Sequence, residues 1–177
     1  PDVALIDTRN AYEVALGTFE GAIDPGLDSF GAFPGWWEAQ RDRFAGKRVA
    51  MFCTGGIRCE KSTALLRAQG VDEVYHLQGG ILSYLEHVPE RDSRWRGQCF
   101  VFDQRLAVGH GLRQGDAGMC HACRRPVTPA QMAAPEWEEG VSCPSCIDAY
   151  SEADRARFRE RQRQVRLAAS RGLRHMA

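Results

Sequence analysis

At 177 residues, 44% hydrophobic and 26% charged, the chain has room for one full-sized globular domain plus a smaller module, and not for two domains. No run approaches the roughly 20 apolar residues needed to cross a bilayer, which excludes a membrane span from the expectations. Net charge is zero but uneven: Ser151 to Ala177 holds eight arginines against Glu152, Asp154 and Glu160, a tail of +5 against −5 for the rest.

Pro1 to Asp7 reads as the start of a buried strand and not as a cleavable leader. Val3-Ala4-Leu5-Ile6 runs into a polar turn at Asp7-Thr8-Arg9. Gly21 to Trp37, rich in glycine, proline and aromatic residues, reads as a long irregular crossover. Arg48 to Phe52 is the next strand, Cys53 to Ile57 the turn after it, and Arg58 to Gln69 a helix closed by Gly70. Val74 to Leu77 makes a third strand, Gly79-Gly80 a turn, and Ile81 to Glu86 a further helix. Strands alternating with helices at this spacing predict an α/β fold, a parallel sheet flanked by helices. The expected divisions are an α/β domain over 1–92, an extension with a cysteine module over 93–150, opening on an edge strand at Cys99 to Phe102, and an arginine-rich helical tail over 151–177.

Seven cysteines is an odd number, and two pairs have the two-residue spacing of metal knuckles. Both facts disfavour a secreted disulfide framework and place the chain in a reducing cytoplasm. Cys120 and Cys123 are separated from Cys143 and Cys146 by nineteen residues, inside the range of a four-cysteine zinc site. Four thiolates leave no open position for water, so such an ion is structural. Redox or disulfide pairing without metal is the alternative. His121, between two ligands, reads as solvent-exposed.

Cys53 falls at the carboxyl end of a strand, where open parallel sheets bind ligands. Gly55 and Gly56 let the loop curl so that backbone N–H groups converge on the sulfur, and the next helix adds its positive end. With Arg58 and Lys61 close in sequence, the thiol pKa is expected to fall below its free value of about 8.5. The bland reading is one more buried cysteine beside a glycine turn. Cys59 reads either as a resolving thiol or as a packed first-turn residue, and Cys99 as core. A cysteine phosphatase needs five residues between cysteine and arginine; Thr54 to Ile57 is four, a smaller cradle that favours sulfur.

Cys53-Thr54-Gly55-Gly56-Ile57-Arg58 resembles the six-residue active loop of rhodaneses, whose first residue carries a persulfide. Asp7-Thr8-Arg9 with Glu13, and Val74 to Ile81, resemble that family's early motif and its closing strand and turn, a likeness covering roughly residues 1–90 without the usual lead-in before Val3. The longer run from Cys53 through Cys59 and Lys61, with Trp95 to Asp103 and the paired knuckles, is similar to the bacterial tRNA uridine hydroxylases with a rhodanese domain. That resemblance implies oxygen-dependent 5-hydroxylation of the wobble uridine of tRNA, with O2 as co-substrate. It also implies an additional small N-terminal α/β domain that this sequence does not contain. The family's reactive cysteine corresponds to Cys53 or Cys59; loop geometry favours Cys53.

No histidine-carboxylate iron triad and no dinucleotide glycine fingerprint is legible, so no organic cofactor is expected. Arg155, Arg157, Arg159, Arg161, Arg163 and Arg166 cover several helix faces; they read as a solvated surface or as a salt-dependent grip on tRNA. Trp36 and Trp37 read as core or lid packing, with base stacking as the alternative. His76, His87, His110 and His175 receive no role. The competing functions are sulfur transfer from a small persulfide or thiosulfate donor, and an RNA-binding module with a vestigial loop.

Overall fold

In the computed structural model, which describes residues 2–173, the α/β region runs β1 (Val3–Asp7), α1 (Ala11–Val14), β2 (Gly17–Phe19), α2 (Phe33–Gln40), β3 (Arg48–Phe52), α3 (Ile57–Ala68), β4 (Val74–His76) and α4 (Gly80–His87). Pro1, the last four residues of the tail and the His175 among them lie outside the described residues. Strands β1, β3 and β4 form a parallel sheet in the order β1-β3-β4, as the alternating pattern requires. The register sets Asp7 opposite Phe52, so Thr8 and Cys53 leave the sheet side by side, and Thr8 N–H donates to Phe52 O at 3.0 Å.

One core cluster joins Ile6, Val49, Met51 and Val74 of the sheet to Leu66 of α3 and to Phe33 and Trp37. The other joins Phe52, Ile81 and Leu85 to Phe19, Trp95 and Cys99. Phe33 and Trp37 correct the expectation for the crossover, since they sit one helical turn apart on α2. Pro34 is tolerated in the first turn of that helix, where its missing N–H has no partner to lose, and the two aromatic anchors outweigh Gly35. Trp37 is 1% exposed and stacks on Phe44 at 5.5 Å, and Trp36 packs against the same cluster. The packing reading therefore holds for both tryptophans.

Beyond α4 come β5 (Trp95–Gly97), β6 (Cys99–Phe100) and β7 (Ala107–Val108). The edge strand expected over Cys99 to Phe102 is only two residues long and pairs with β7, while Val101 turns inward and Phe102 outward. Antiparallel pairing of β5 with β2 draws this stretch into the first compact unit, residues 1–115. Its physical cause is Arg9, fully buried, which holds both Asp7 oxygens, donates to Gly17 O at 2.6 Å and lies 5.2 Å over the Trp95 ring.

The second unit, residues 116–177, contains the hairpin β8 (Gly118–Met119) and β9 (Pro126–Val127), the single turn α5 (Pro129–Met132) and the long α6 (Glu152–Ser170). Ser151 and Asp154 close a capping box at the start of α6, each satisfying an N–H that the helix leaves unpaired. The cysteine module and the arginine helix, separated in the sequence reading, form one compact unit.

Candidate active site and cysteine cluster

Cys53 lies at the junction of β3 and α3, 1% exposed. Gly56, at φ +97°, takes a left-handed turn open to glycine at little cost, and its N–H then points back to Cys53 Sγ at 3.1 Å. Arg58 and Cys59, in the first turn of α3, act with Gly56 to lower the Cys53 pKa. The Cys59 hydrogen bond is the largest influence on the Cys53 thiol. Together with the three N–H groups it outweighs burial and holds the pKa well below the ordinary thiol range. The Cys59 thiol is pushed upward, first by that same bond and then by burial. Of the two thiols, Cys53 is thus the one whose pKa is lowered and Cys59 the one whose pKa is raised.

A second clasp comes from α4. Ile81 N–H donates to Cys53 O at 3.0 Å and Leu82 N–H to Thr54 O at 3.1 Å, so two of the unpaired donors at that helix start hold the loop backbone. Gly80 passes so close that a Cβ there would meet Thr54 O at 2.5 Å.

Arg58 takes a carboxylate partner. Its guanidinium grips the fully buried Glu13 with both arms, at 2.6 and 2.8 Å, and reaches Thr54 Oγ1 at 3.2 Å; against the desolvation of burial, Glu13 and, to a smaller extent, Cys53 raise its pKa. Lys61 is exposed on α3 and takes no part in the cradle. Gly55 and Ile57 are also exposed, Ile57 by 71%, so of the loop residues Thr54 and Gly56 are the ones drawn inward. Glu13 and Thr8 join the site from elsewhere in the chain. Thr8 Oγ1 donates to Phe52 O at 3.1 Å and lies 3.6 Å from Cys59 Sγ. The only sequence signal for either was the likeness of their segment to the rhodanese early motif.

Cys99 is buried, as expected, and burial pushes its thiol up to about 11 despite a hydrogen bond with Thr54. Beside it a line of aromatic rings leads to solvent: Tyr12 and Phe100 at 5.5 Å, then Phe100 and Phe102 at 5.0 Å. Phe102 is 72% exposed, and no feature of the sequence distinguished it from its buried neighbours.

In the second unit, Cys120, Cys123, Cys143 and Cys146 bring their sulfurs within 4.8 Å of one another. Three of the contacts measure 3.8, 3.7 and 3.6 Å. A tetrahedral ion with metal–sulfur bonds of about 2.3 Å requires sulfur–sulfur edges of about 3.8 Å, whereas a disulfide requires about 2.05 Å. The donor set and spacing fit a four-thiolate metal ion. His121 is exposed and outside the set.

The arginines of α6 are engaged. Arg159 pairs with Glu138 and Glu152, Arg163 with Glu160, and Arg166 with Glu139. Arg157 pairs with Asp154, Arg155 donates to Ile147 O, and Arg161 donates to the carbonyls of His121 and Gly140. The contacts of Arg155, Arg159, Arg161 and Arg166 with Ile147, Glu138, His121, Gly140 and Glu139 fasten the helix to the cysteine module, whereas those of Arg157 and Arg163 stay within α6.

Residues 1–87 match the rhodanese-like domain. Over 176 residues, 99% of this chain, the sequence is 64% identical to the tRNA uridine(34) hydroxylase of Jannaschia sp. (strain CCS1) and 65% identical to that of Ruegeria pomeroyi; the protein of the same name from Agrobacterium fabrum is 57% identical. The match covers 58% of the first two relatives and 56% of the third. The chain is thus similar, over nearly its whole length, to proteins named tRNA uridine(34) hydroxylase, of whose length it spans a little more than half.

Proposed function

We propose that this chain is the sulfur-loop portion of an enzyme that hydroxylates the wobble uridine of tRNA at C5 with O2, and that Cys53 is its reactive sulfur. The observation that carries the reading is the thiolate cradle at Cys53, in a chain whose relatives bear that name. Uracil C5 is unreactive until C6 is attacked. A thiolate adding to C6 places electron density on C5, where one atom of O2 enters as hydroxyl while the other leaves as water with two electrons from an external reductant; loss of the C5 proton then expels the thiolate from C6. In this reading Gly56, Arg58 and Cys59 hold the charge on sulfur through their N–H groups, and Glu13 fixes Arg58 so that the loop keeps its shape. Phe102, exposed and edge-on to Phe100, supplies a face on which an unpaired base stacks.

Generic sulfur transfer remains the second reading, and one observation favours it: Cys53 is almost fully buried. A persulfide at this position carries the outer sulfur about 2 Å further toward the mouth, with thiosulfate or another small persulfide as donor. The four-cysteine cluster is read as a structural zinc site. Among the described residues no helix is long and apolar enough to cross a membrane, and a cytoplasmic setting fits the reduced cysteines.

Mass spectrometry of tRNA from a deletion strain tests the main reading. The full-length gene is expected to restore 5-hydroxyuridine at the wobble position and its Cys53→Ser variant to leave it absent. Restoration by the variant removes Cys53 from the chemistry; restoration by neither gene favours sulfur transfer.

A further inference from the structure

The turn that begins at Cys120 is held at both ends and in its middle. Arg124 N–H donates to Cys120 O at 2.8 Å and Cys120 N–H to Arg125 O at 2.9 Å. Arg161 donates to His121 O at 3.0 Å, and the Tyr150 hydroxyl to Ala122 O at 3.2 Å. These bonds fix the backbone of the turn before any partner arrives, which lowers the entropy lost on binding.

Arg124 and Arg125 are exposed on this turn, and their guanidinium groups make no ion pair or hydrogen bond among the described residues. The arginines of α6 from Arg155 to Arg166 are, by contrast, all spent on carboxylates or carbonyls. Arg171, the C-cap of α6, is the other described arginine of this unit without such a partner. Arg124 also sits at φ +62°, a left-handed conformation that glycine adopts freely and a longer side chain resists. With no polar partner for its side chain inside the unit, glycine would serve the fold better at this position. What the arginine adds is an exposed cation on a fixed turn.

We propose that the turn carrying Arg124 and Arg125 is the phosphate-binding surface of the second unit, and that its partner is the sugar-phosphate backbone of tRNA. The inference rests on the tRNA reading above and names the contact that the engaged arginines of α6 do not make.

The chemistry of the two side chains selects the partner. A planar guanidinium offers paired N–H donors that match two phosphate oxygens, and a phosphate that meets Arg124 or Arg125 has no carboxylate to displace. Each phosphate neutralised releases condensed counterions, so the gain grows as salt falls. Trp137 and Tyr150 are half-buried against the cysteine cluster, so the turn offers charge and not a stacking face. Contacts of this kind fix the position of the RNA without reading its bases.

The test measures binding of the full-length protein to a fluorescein-labelled tRNA with uridine at the wobble position, by fluorescence anisotropy, from about 50 to about 200 mM salt. Arg124→Gly and Arg125→Gln are each expected to lower the slope of log affinity against log salt by about 0.7–0.9, and to weaken binding about five- to eightfold at about 0.1 M salt. Arg124→Gly is expected to unfold at no lower urea concentration than wild type, since glycine is at ease at this φ, and both variants are expected to keep the wild-type metal content. The control is Arg163→Gln, which removes a cation paired with Glu160 inside α6 and should leave affinity and slope unchanged. Wild-type affinity and slope in the Arg124→Gly, Arg125→Gln double variant overturn the proposal and leave the tRNA reading standing. Affinity lost only together with metal or folding overturns it as well, because the arginines would then serve the fold. A wild-type full-length protein that binds no tRNA overturns both.

Discussion

Replacing Gly80 by alanine is expected to damage the chemistry of a cysteine 27 positions away in the sequence. A Cβ at this residue meets Thr54 O at 2.5 Å, Cys53 O at 2.6 Å and Gly56 N at 2.8 Å, all of them backbone, where ordinary contact begins at 3.4 Å. The loop must recede by most of an ångström. Gly80 also sits at φ +65°, a left-handed conformation that costs a non-glycine residue about 1 kcal/mol or more. Weakening the bonds from Ile81 and Leu82 to the loop carbonyls adds about 1 kcal/mol each, for a total near 3 kcal/mol. Recession of Gly56 then lengthens its N–H bond to the Cys53 thiolate. A hydrogen bond to a charged group contributes about 1.5–3 kcal/mol, and one pKa unit corresponds to about 1.4 kcal/mol, so the Cys53 pKa should rise by about one to two units. Urea unfolding reads the first effect, and the pH dependence of Cys53 alkylation by iodoacetamide, followed by mass spectrometry, reads the second. Gly55→Ala is the control: its Cβ meets nothing within 4 Å, and its stability should stay within about 0.5 kcal/mol of wild type. If the two variants give superimposable stability and alkylation curves, the clasp of α4 on the sulfur loop is not what shapes the thiolate.

Acid should remove a stabilisation that depends on Cys53. Its folded pKa is lowered to about 5, so from there up to the free value of about 8.5 the unfolded chain holds a proton that the folded chain has released, and stability rises with pH. The margin of wild type over Cys53→Ser should thus be present near pH 8 and vanish as pH falls through 5; equal margins at both ends refute it. Zinc analysis should find one ion per chain, and its chelation should abolish hydrogen-exchange protection over 116–173 while leaving 2–115 protected; unchanged exchange in the second unit rules out a structural metal. Glu13→Ala strands the Arg58 guanidinium and should cost about 3 kcal/mol, the low end for a broken buried pair because the Arg58 side chain keeps 18% of its exposure. A loss below about 1 kcal/mol in urea melts would show that water replaces the carboxylate. Phe102→Ala should leave stability unchanged and weaken binding of an anticodon stem-loop to the full-length protein by about 1–3 kcal/mol; unchanged affinity removes Phe102 from the substrate path.

What the sequence shows of this site is what is local. Cys53, the two glycines and the helix after them lie within one strand-loop-helix step, and the conformational meaning of glycine is readable there without knowing the rest of the chain. Glu13 belongs to the same site but meets Arg58 across 45 positions, a distance over which no spacing rule operates. Arg58 beside a thiolate therefore reads as a partner of sulfur alone, and its carboxylate partner is visible only in the fold. The same limit explains α2, where Phe33 and Trp37 find a shared core face that outweighs the turn-forming residues between Gly21 and Gly35. It also explains Trp95, which joins the first unit because Arg9 supplies a cation beneath its ring.

Charge in the tail follows from the same long-range pairing and bears on the proposed grip on RNA. Each arginine counted as a free cation suggests a phosphate neutralised and a counterion released. On α6, however, Arg159, Arg163 and Arg166 already face carboxylates, and Arg155 and Arg161 are spent on carbonyls of the cysteine module. A phosphate would have to displace a carboxylate at most of these positions, gaining little, because exposed pairs exchange one anion for another at about 0–1 kcal/mol. The salt dependence of RNA binding by this unit should accordingly have a slope well below that of six free arginines. Glu138→Gln together with Glu139→Gln, which release Arg159 and Arg166 from their partners on the module, should steepen it. A slope already at the value for six phosphate contacts in the unaltered protein would mean that these ion pairs open freely, and that the helix grips RNA after all.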